Sequence, residues 1–203
     1  DIPLSKLMLV LSLLASAGNT AFAQLLWSEE FDSGTSPDST IWSYDLGASG
    51  WGNNELQEYT NASENVRIED GNLVIEVQKS DSGFTSARIR TEDKLTFKYG
   101  MIEARIKMPD LANGLWPAFW TLGNNFKQVG WPYCGELDIV EMGSSDAITR
   151  GLTNRWVGST AHWELDDNHV YYGKSLVAPA DLNDDYHIFK MNWTPTLVTT
   201  YLD

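Results

Sequence analysis

The feature that most constrains the fold is a series of short segments in which apolar and polar residues alternate, with turn residues between them. The segments VRIED (66–70) and LVIEVQK (73–79) are joined through Asp70-Gly71, a dipeptide typical of a two-residue β-hairpin turn. Further segments follow at 86–91, 97–108, 115–123, 136–142, 158–165, 169–173, 186–193 and 197–203. No stretch shows sustained helical periodicity. The sequence therefore predicts an all-β sandwich or barrel of antiparallel strands with hairpin connections.

The first 23 residues have the pattern of an export signal that is removed from the mature protein. Lys6 provides the positive start, residues 7–17 form an apolar run, and residues 21–23 form an A-x-A cleavage site. The apolar run has 11 residues, which is too short to span a bilayer, since spanning takes about 20. We therefore expect residues 24–203 to form one domain of a secreted protein, either extracellular or periplasmic.

The net charge of −14 limits the kinds of macromolecule that the protein can bind. An acidic surface repels nucleic acids and anionic membranes, so we expect neither as a partner, and it also disfavours strongly sulfated polymers. Cys134 is the single cysteine of the sequence and has no partner for an internal disulfide, but a domain of this size can be stabilised by its core alone.

The segment GELDIVEM (135–142) carries three carboxylates in an apolar strand: Glu136, Asp138 and Glu141. In a regular strand Glu136 and Asp138 share a face, whereas Glu141 points to the opposite face because its offset from Glu136 is odd. One β-bulge between Asp138 and Glu141 would bring all three onto the same face. It would also leave the two glutamate carboxyl groups on the order of 5 Å apart. The alternative is a solvent-facing acidic stripe with regular alternation.

Two glutamates at that separation suit a glycosidase that retains the anomeric configuration of its substrate. Three acids crowded on one apolar strand cannot all ionise cheaply, so their pKa values must separate. One glutamate would attack the anomeric carbon as a carboxylate, and the other would donate a proton to the leaving oxygen. The shorter Asp138 would hydrogen-bond the glutamates.

GELDIVE resembles the active-site signature E-[ILV]-D-x-x-E of glycoside hydrolase family 16, in the longer form found in laminarinases, agarases and carrageenases. The segments that resemble laminarinases, in the expected order, are WSEEFD (27–32), WGNNELQEYT (51–60), SARIRT (86–91), YGMIEARIKMP (99–109), GLWPAFWTLG (114–123) and WPYCGELDIVE (131–141). The resemblance implies a β-jelly roll of two curved antiparallel sheets with a substrate groove on the concave sheet. It implies Glu136 as the nucleophile, Asp138 as its electrostatic helper and Glu141 as the acid/base.

Tryptophans are the first group of substrate-binding residues that the resemblance implies. The sequence contains nine Trp, eight Tyr and seven Phe, which suits either an aromatic-rich core or a cleft whose rings stack on sugars. Trp116 and Trp120 share one strand face, with Phe119 on the other. Both tryptophans match groove residues of the family, and Trp131 matches a cleft tryptophan before the catalytic strand. The alternative places Trp116 and Trp120 in the core and Phe119 outside.

Polar side chains form the second group. Arg88 matches a family arginine that hydrogen-bonds substrate, whereas Arg90, on the same strand face, is either a further site residue or a surface charge. Asn53, in the WGNN turn, matches an asparagine near the sugar, although asparagine in such a turn also serves the backbone. His162 matches a histidine near the catalytic acids, with a purely structural histidine as the alternative.

The resemblance also implies a structural calcium ion, a hard cation that prefers oxygen ligands. The matching positions are Glu30, Gly71 and Asp203. The last predicted strand reaches Asp203, so we expect the complete domain to continue with further strands. We also expect the 203-residue chain alone to be unstable or inactive, because unpaired strand edges favour aggregation.

Together these observations predict a monomeric, endo-acting, retaining hydrolase of β-1,3-glucans of the laminarin type, with mixed-linkage β-1,3-1,4-glucan as a further substrate. We expect a β-glucan polysaccharide as its partner and no cofactor for catalysis. An agarase- or carrageenase-type hydrolase and a transglycosylase are alternatives with the same acids. A non-catalytic β-glucan-binding protein is another, and the presence of both Glu136 and Glu141 disfavours it.

Overall fold

The computed structural model of the protein describes residues 24–111 and 114–203, and the regular secondary structure of this part of the chain is almost entirely β-strand. The strands are β1 (Ser43–Asp45), β2 (Gln57–Tyr59), β3 (Val66–Glu69), β4 (Asn72–Ile75), β5 (Gln78–Ser80), β6 (Gly83–Ser86), β7 (Arg88–Arg90), β8 (Gly100–Ile106), β9 (Ala118–Leu122), β10 (Glu136–Glu141), β11 (Trp156–Leu165), β12 (Asn168–Val177), β13 (His187–Trp193) and β14 (Val198–Leu202). Two short helices, α1 (Phe126–Val129) and α2 (Ser145–Thr149), flank β10. The predicted all-β class is confirmed.

The predicted export signal, residues 1–23, lies outside the described residues. Within the described ranges, no helix has the length and apolar character needed to cross a bilayer.

The predicted hairpin at Asp70-Gly71 is confirmed. Strands β3 and β4 pair antiparallel, with Glu69 opposite Asn72, so the loop between them has two residues. Asp70 and Gly71 have φ values of 51° and 71°, the left-handed pair that a tight hairpin turn of the I′ type requires. The same turn recurs at Asp166-Asp167, with φ values of 53° and 61°, and joins the two longest strands, β11 and β12.

Two sheets enclose the hydrophobic core. One has the strand order β12-β11-β10-β9 and the other β14-β13-β8. The buried core cluster comprises Met108, Leu111, Ile139, Val140, Met142, Val157, Ala178, Leu182, Phe189 and Met191. Strands β10 and β11 of the first sheet and β13 of the second contribute to this cluster, which leaves the opposite face of β10 available for a site.

The predicted β-bulge in β10 is confirmed by the pairing on both sides of the strand. Against β11 the register shifts between Asp138 and Glu141, and against β9 it shifts between Asp138 and Val140. Ile139 and Val140 are consecutive, yet both are buried in the core cluster. Regular alternation forbids two neighbours on one face, and the extra residue of a bulge allows it.

The first half of the chain departs from the predicted pattern. The continuous strand predicted for residues 73–79 is broken into β4 and β5. The break occurs at Glu76, because Asn65 hydrogen-bonds both backbone groups of this residue. The Glu76 N–H donates to the Asn65 backbone carbonyl at 2.9 Å, and the Asn65 side-chain amide donates to the Glu76 carbonyl at 3.0 Å. Strand β2 pairs with β6 in parallel and not antiparallel, which the long connection between them permits. Helices α1 and α2 are too short to show periodicity in the sequence.

Candidate active site

The three acids of β10 share one face of the sheet, and we call Glu136, Asp138 and Glu141 the acid cluster. Residues directly opposite one another on neighbouring strands share a face. The residues opposite Glu136, Asp138 and Glu141 are Leu122, Trp120 and Ala118 on β9, and His162, Thr160 and Gly158 on β11. The acid cluster is therefore flanked by an aromatic residue on one side and a histidine on the other.

Asp138 is the most enclosed member of the acid cluster, with 5% of its side chain exposed. Its Oδ2 atom is buried and has no hydrogen-bond partner. The Nε2 atom of His162 lies 3.3 Å from this oxygen, but the two are not aligned as a hydrogen bond, and the same Nε2 lies 3.9 Å from Glu136 Oε1. Burial, followed by the negative charges of Glu141 and Glu136, raises the pKa of Asp138 to about 8. Asp138 is therefore protonated and neutral at pH 7.

The two glutamates differ in what stabilises their charged forms. Burial, with a smaller effect from Glu141, raises the pKa of Glu136, while a hydrogen bond from Trp131 and the charge of Arg88 lower it. Burial also raises the pKa of Glu141, and only a hydrogen bond from Trp116 counters it. A guanidinium therefore favours the carboxylate form of Glu136, whereas Glu141 has only a neutral donor.

Trp116 is held beside Glu141 by the backbone before β9. Its indole Nε1 donates to Glu141 Oε1 at 3.1 Å, and 51% of the residue is exposed. A close backbone approach fixes this position: a Cβ on Gly143 would lie 2.1 Å from the carbonyl oxygen of Leu115. Gly143 also has a φ of 92°, which side chains rarely adopt. Glycine at 143 thus allows the segment carrying Trp116 to reach the end of β10.

Arg88 lies in a second group of residues, the Arg88 pocket, which consists of Asp45, Trp51, Tyr59, Arg88 and Trp120. The Nε atom of Arg88 is 2.6 Å from Oδ2 of the buried Asp45. Its guanidinium lies over the rings of Trp51, Tyr59 and Trp120, at 4.3, 5.5 and 5.7 Å from their centroids. Trp120 also lies opposite Asp138, so the Arg88 pocket adjoins the acid cluster.

Four aromatic rings, which we call the histidine platform, cover the other side of the acid cluster: Trp131, His162, His169 and Tyr171. Ring centroids of Trp131 and His169 are 4.4 Å apart, and those of His162 and His169 are 5.2 Å apart. The Nδ1 atom of His162 hydrogen-bonds Nε2 of His169 at 2.9 Å. Burial and the neighbouring His169 lower the pKa of His162, so its imidazole is neutral at pH 7.

This arrangement can divide acid and base roles among carboxyl groups. Burial raises the pKa of all three acids. Trp131 and Arg88 counter that effect at Glu136, only the neutral donor Trp116 counters it at Glu141, and nothing counters it at Asp138. Half-exposed tryptophans stand on both sides, with exposures of 51% for Trp116 and 44% for Trp131. Flat rings beside paired carboxyl groups are the parts that glycosidic bond cleavage requires.

The family model for glycosyl hydrolases family 16 matches residues 53–203, which include the acid cluster and both flanking strands. The chain belongs to glycosyl hydrolase family 16. The resemblance proposed from GELDIVE is therefore confirmed at the level of the family.

Two family 16 relatives illustrate the similarity. The chain is 36% identical over 190 residues to a β-glucanase from Rhodothermus marinus, covering 89% of this chain and 63% of the relative. It is 37% identical over 188 residues to a glucan endo-1,3-β-glucosidase from Cryptopygus antarcticus, covering 87% of this chain and 65% of the relative. The chain thus spans slightly less than two thirds of the length of these relatives.

Solved structures of family 16 enzymes have the same fold. The laminarinase catalytic domain from Thermotoga maritima MSB8 superposes with a TM-score of 0.73 at 40% identity, covering 89% of this chain and 74% of that one. A Bacteroides ovatus family 16 protein from a mixed-linkage glucan locus, solved with the product G4G4G3G, gives a TM-score of 0.80 at 33% identity, with 88% and 75% covered. The predicted jelly-roll architecture is confirmed.

Asn53, which the family resemblance implies, and Arg90, which shares a strand face with Arg88, both lie in the Arg88 region. Asn53 is exposed, and its Nδ2 donates to Glu55 Oε1 at 3.3 Å. Glu55 in turn accepts from Tyr59, so Asn53 is linked to the Arg88 pocket through these two residues. Arg90 is a structural charge: its Nη1 lies 3.0 Å from Asp45 and 3.1 Å from Glu92.

The predicted calcium ligands offer two carboxylates and a carbonyl, the oxygen donors that Ca²⁺ prefers. The Gly71 turn and Asp203 both neighbour the Tyr186-His187 segment. Tyr186 donates to Asn72, beside Gly71, at 3.0 Å, and His187 Nδ1 lies 3.1 Å from Asp203 Oδ1. Glu30 is exposed. The donor chemistry fits the ion, and the calcium site stays a prediction.

Several site residues were not predicted from the sequence. Asp45, Trp51 and Tyr59 surround Arg88, and His169 and Tyr171 complete the histidine platform. The sequence around Asp166-Asp167 could have predicted part of the histidine platform. A two-residue turn there fixes the β11–β12 register and places Tyr171 opposite His162. Asp45 gives no comparable signal, because it is 43 residues from its partner Arg88.

Proposed function

We propose that this chain is the catalytic domain of a secreted, endo-acting, retaining hydrolase of β-1,3-glucans. The observation that carries the proposal is the bulge in β10, which puts Glu136 and Glu141 on one face between exposed tryptophans. Family membership and the relatives that are named as glucan endo-1,3-β-glucosidase and laminarinase support a β-glucan as the substrate. The pattern of residues 1–23 supports secretion.

In the first step of the proposed mechanism, the Glu136 carboxylate attacks the anomeric carbon and forms a glycosyl ester. Glu141 gives its proton to the glycosidic oxygen, which leaves as an alcohol. Burial raises the pKa of both glutamates, and the hydrogen bond from Trp131 together with the charge of Arg88 counters this effect at Glu136, whereas at Glu141 only the hydrogen bond from Trp116 does. The ionised form that attack needs is therefore better supported at Glu136. Neutral Asp138 adds no second negative charge beside the attacking carboxylate.

In the second step Glu141, now a carboxylate, removes a proton from water while the water oxygen attacks the anomeric carbon. The ester bond to Glu136 breaks, and both glutamates return to their starting states. Two displacements at one carbon give net retention of the β-configuration.

A substrate panel tests this proposal. Protein that contains the whole chain is mixed with laminarin, lichenan, agarose and κ-carrageenan, and new reducing ends are counted. We expect fast release from laminarin, and proton NMR of early products should show the β-anomer first. Release from agarose or κ-carrageenan but not from laminarin would contradict the glucan assignment, and an α-anomer would contradict retention.

Mixed-linkage β-1,3-1,4-glucan is the second candidate substrate. The Bacteroides ovatus structure with its G4G4G3G product, from a mixed-linkage glucan locus, supports it. Comparing kcat/KM on lichenan and laminarin decides between the two substrates. A protein that binds laminarin but releases no reducing ends would instead be a non-catalytic glucan-binding protein.

We also propose that Glu30, Gly71 and Asp203 hold a structural calcium ion. The ion would join the segment before β1, the β3–β4 turn and the end of β14, and it would take no part in bond cleavage. An ion that binds only the folded state stabilises it by about 2.7 kcal/mol at 100 times its Kd. Calcium should therefore raise the melting temperature of EDTA-treated protein, and Asp203→Ala should abolish the increase. An unchanged melting temperature would contradict the site.

A further inference from the structure

The oxygen of Asp138 that lacks a partner lies in a group of three metal-ligating side chains. One ligand atom from each of Glu136, Asp138 and His162 lies within 4.8 Å of the other two. Within the described part of the chain, no other group of three histidine, cysteine or acidic side chains meets the same condition. All three are enclosed, with 18%, 5% and 19% of their side chains exposed. Enclosed ligands with an unsatisfied oxygen differ from an acidic surface patch, whose oxygens are hydrated.

The distances fit a small tetrahedral ion. Two ligand atoms about 2.1 Å from a tetrahedral Zn²⁺ lie roughly 3.4 Å apart. His162 Nε2 is 3.3 Å from Asp138 Oδ2 and 3.9 Å from Glu136 Oε1. The His162–Asp138 spacing already matches this value, and rotation of the Glu136 side chain would bring in the third ligand and leave a fourth position for water.

His162 is already oriented as a metal ligand. Its Nδ1 hydrogen-bonds His169 Nε2 at 2.9 Å, and a proton on Nδ1 leaves the lone pair of Nε2, which lies 3.3 Å from Asp138 and 3.9 Å from Glu136, free to bind an ion. A ligating histidine characteristically makes such a bond from its other nitrogen. The rings of Trp131 and Tyr171, with centroids 5.9 Å from His162, fix the imidazole plane.

The charge balance also favours a divalent cation. Glu136, Asp138 and Glu141 share one face of β10, which concentrates three carboxyl groups in this part of the site. The nearby cation, Arg88, is held by Asp45 at 2.6 Å. Imidazole together with carboxylates suits Zn²⁺ and its neighbours in the transition series, whereas Ca²⁺ and Mg²⁺ prefer oxygen ligands alone.

We propose that Glu136, Asp138 and His162 bind one divalent transition-metal ion of the Zn²⁺ type, and that the bound ion inhibits the enzyme. The ion takes the carboxylate that would attack the anomeric carbon, so metal binding and glycosyl transfer exclude each other. The metal site stands on the geometry of the three side chains, and its inhibitory effect rests on the proposed function.

Isothermal titration calorimetry with Zn²⁺ tests the site on protein that contains the whole chain, in a buffer with excess Ca²⁺ to fill oxygen-only sites. We expect one Zn²⁺ per chain. His162→Phe keeps a ring between its aromatic neighbours but removes the ligand, and it should weaken Zn²⁺ binding by at least about tenfold. The matched control is His187→Phe, which removes a histidine paired with a single carboxylate, Asp203, and should leave the affinity unchanged.

Two further variants keep the test decisive. Asp138→Asn weakens a ligand with little change of shape and serves if His162→Phe fails to fold by circular dichroism. His169→Phe removes only the hydrogen bond that orients His162 and should cost roughly 10- to 100-fold in affinity. Equal Zn²⁺ affinity in wild type, His162→Phe and Asp138→Asn, or no Zn²⁺ binding to wild type, would overturn the site.

The inhibitory effect is measured separately, as the rate of laminarin hydrolysis at increasing Zn²⁺. We expect the inhibition constant to equal the calorimetric Kd and dilution to restore activity. Binding without inhibition would overturn the inhibitory role alone. A protein that binds Zn²⁺ through these residues but never hydrolyses laminarin would refute the proposed function and leave the metal site intact.

Discussion

Two buried aspartates, Asp45 in the Arg88 pocket and Asp138 in the acid cluster, differ in their ion-pair partners. Trp120 lies next to both groups of residues. Asp45 is 7% exposed and lies 2.6 Å from Arg88 and 3.0 Å from Arg90. Asp138 is 5% exposed, has an oxygen without a hydrogen bond and has a pKa raised to about 8. Asp45 is paired with two guanidinium groups, whereas Asp138 has no cationic partner and is protonated at pH 7.

The difference indicates what each region is built for. A buried ion pair with full partners fixes geometry, and Arg88 is thereby set over Trp51 and Trp120. Buried, crowded acids have perturbed pKa values, which acid–base chemistry uses. Four substitutions test this contrast between the two regions.

The largest effect should come from the proposed nucleophile. Glu136→Gln removes the attacking carboxylate but keeps the shape, and we expect kcat on laminarin to fall by at least about 10⁴-fold. The matched control is Glu103→Gln on β8, an exposed glutamate 3.3 Å from Lys190, which should retain wild-type kcat. If Glu136→Gln kept most of its turnover, the acid cluster would be a structural feature like Asp45.

The second effect concerns the pH dependence of stability. A folded-state pKa near 8 means that between about pH 4 and pH 8 folded Asp138 holds a proton that the unfolded chain has lost. The free energy of unfolding contributed by this group therefore decreases as the pH rises, by up to about 1.4 kcal/mol per pH unit. Asp138→Asn does not titrate, so its stability relative to wild type should increase across that window.

Urea denaturation of wild type and Asp138→Asn at pH 4, 5, 6, 7 and 8 measures this difference. Its slope with pH is independent of any constant cost of packing an amide at this position. Parallel stability curves for the two proteins would show that Asp138 is ionised in the folded state, and the contrast with Asp45 would disappear.

The third effect has the opposite sign and comes from the matching substitution in the other region. Asp45→Asn leaves Arg88 and Arg90 without their shared carboxylate, and hydrogen bonds to charged groups contribute about 1.5–3 kcal/mol each. We expect urea denaturation at pH 7 to show a loss of this order. A more stable Asp45→Asn would mean that Arg88 and Arg90 do not stabilise the Asp45 carboxylate.

The smallest effect concerns one hydrogen bond. Trp116 donates to Glu141 and lowers its pKa, so Trp116→Phe should raise that pKa further. The limb of the pH–rate profile that Glu141 controls should move to higher pH by less than about one unit, with a few-fold change in kcat. Trp156→Phe, beneath Arg150 at 5.2 Å, is the control and should leave the profile unchanged. A downward shift would contradict the role of the indole.

Local pattern in the sequence predicts the acid cluster but not the network around it. The odd spacing of Glu141 predicts the bulge. Without a bulge Glu141 would point to the face opposite Glu136, and the two glutamates could not act on one substrate. The break at Glu76 was not predicted, since it depends on a buried Asn65 eleven residues away. Asp45 was not predicted either, because only the fold brings it to Arg88. Contacts between distant segments leave no periodic signal in either one.

The bulge of β10 also bears on how the chain finds its register. A regular strand can slip by two residues against its neighbours and still present the same faces. In β10 such a slip would move the irregular step away from Phe119, which lies opposite Val140, and would turn Ile139 or Val140 out of the core. A shifted pairing of β10 therefore buries less aliphatic side-chain surface and is less stable than the native one. The bulge that sets the spacing of the acids thus also favours the native register of β10 over pairings shifted by two residues.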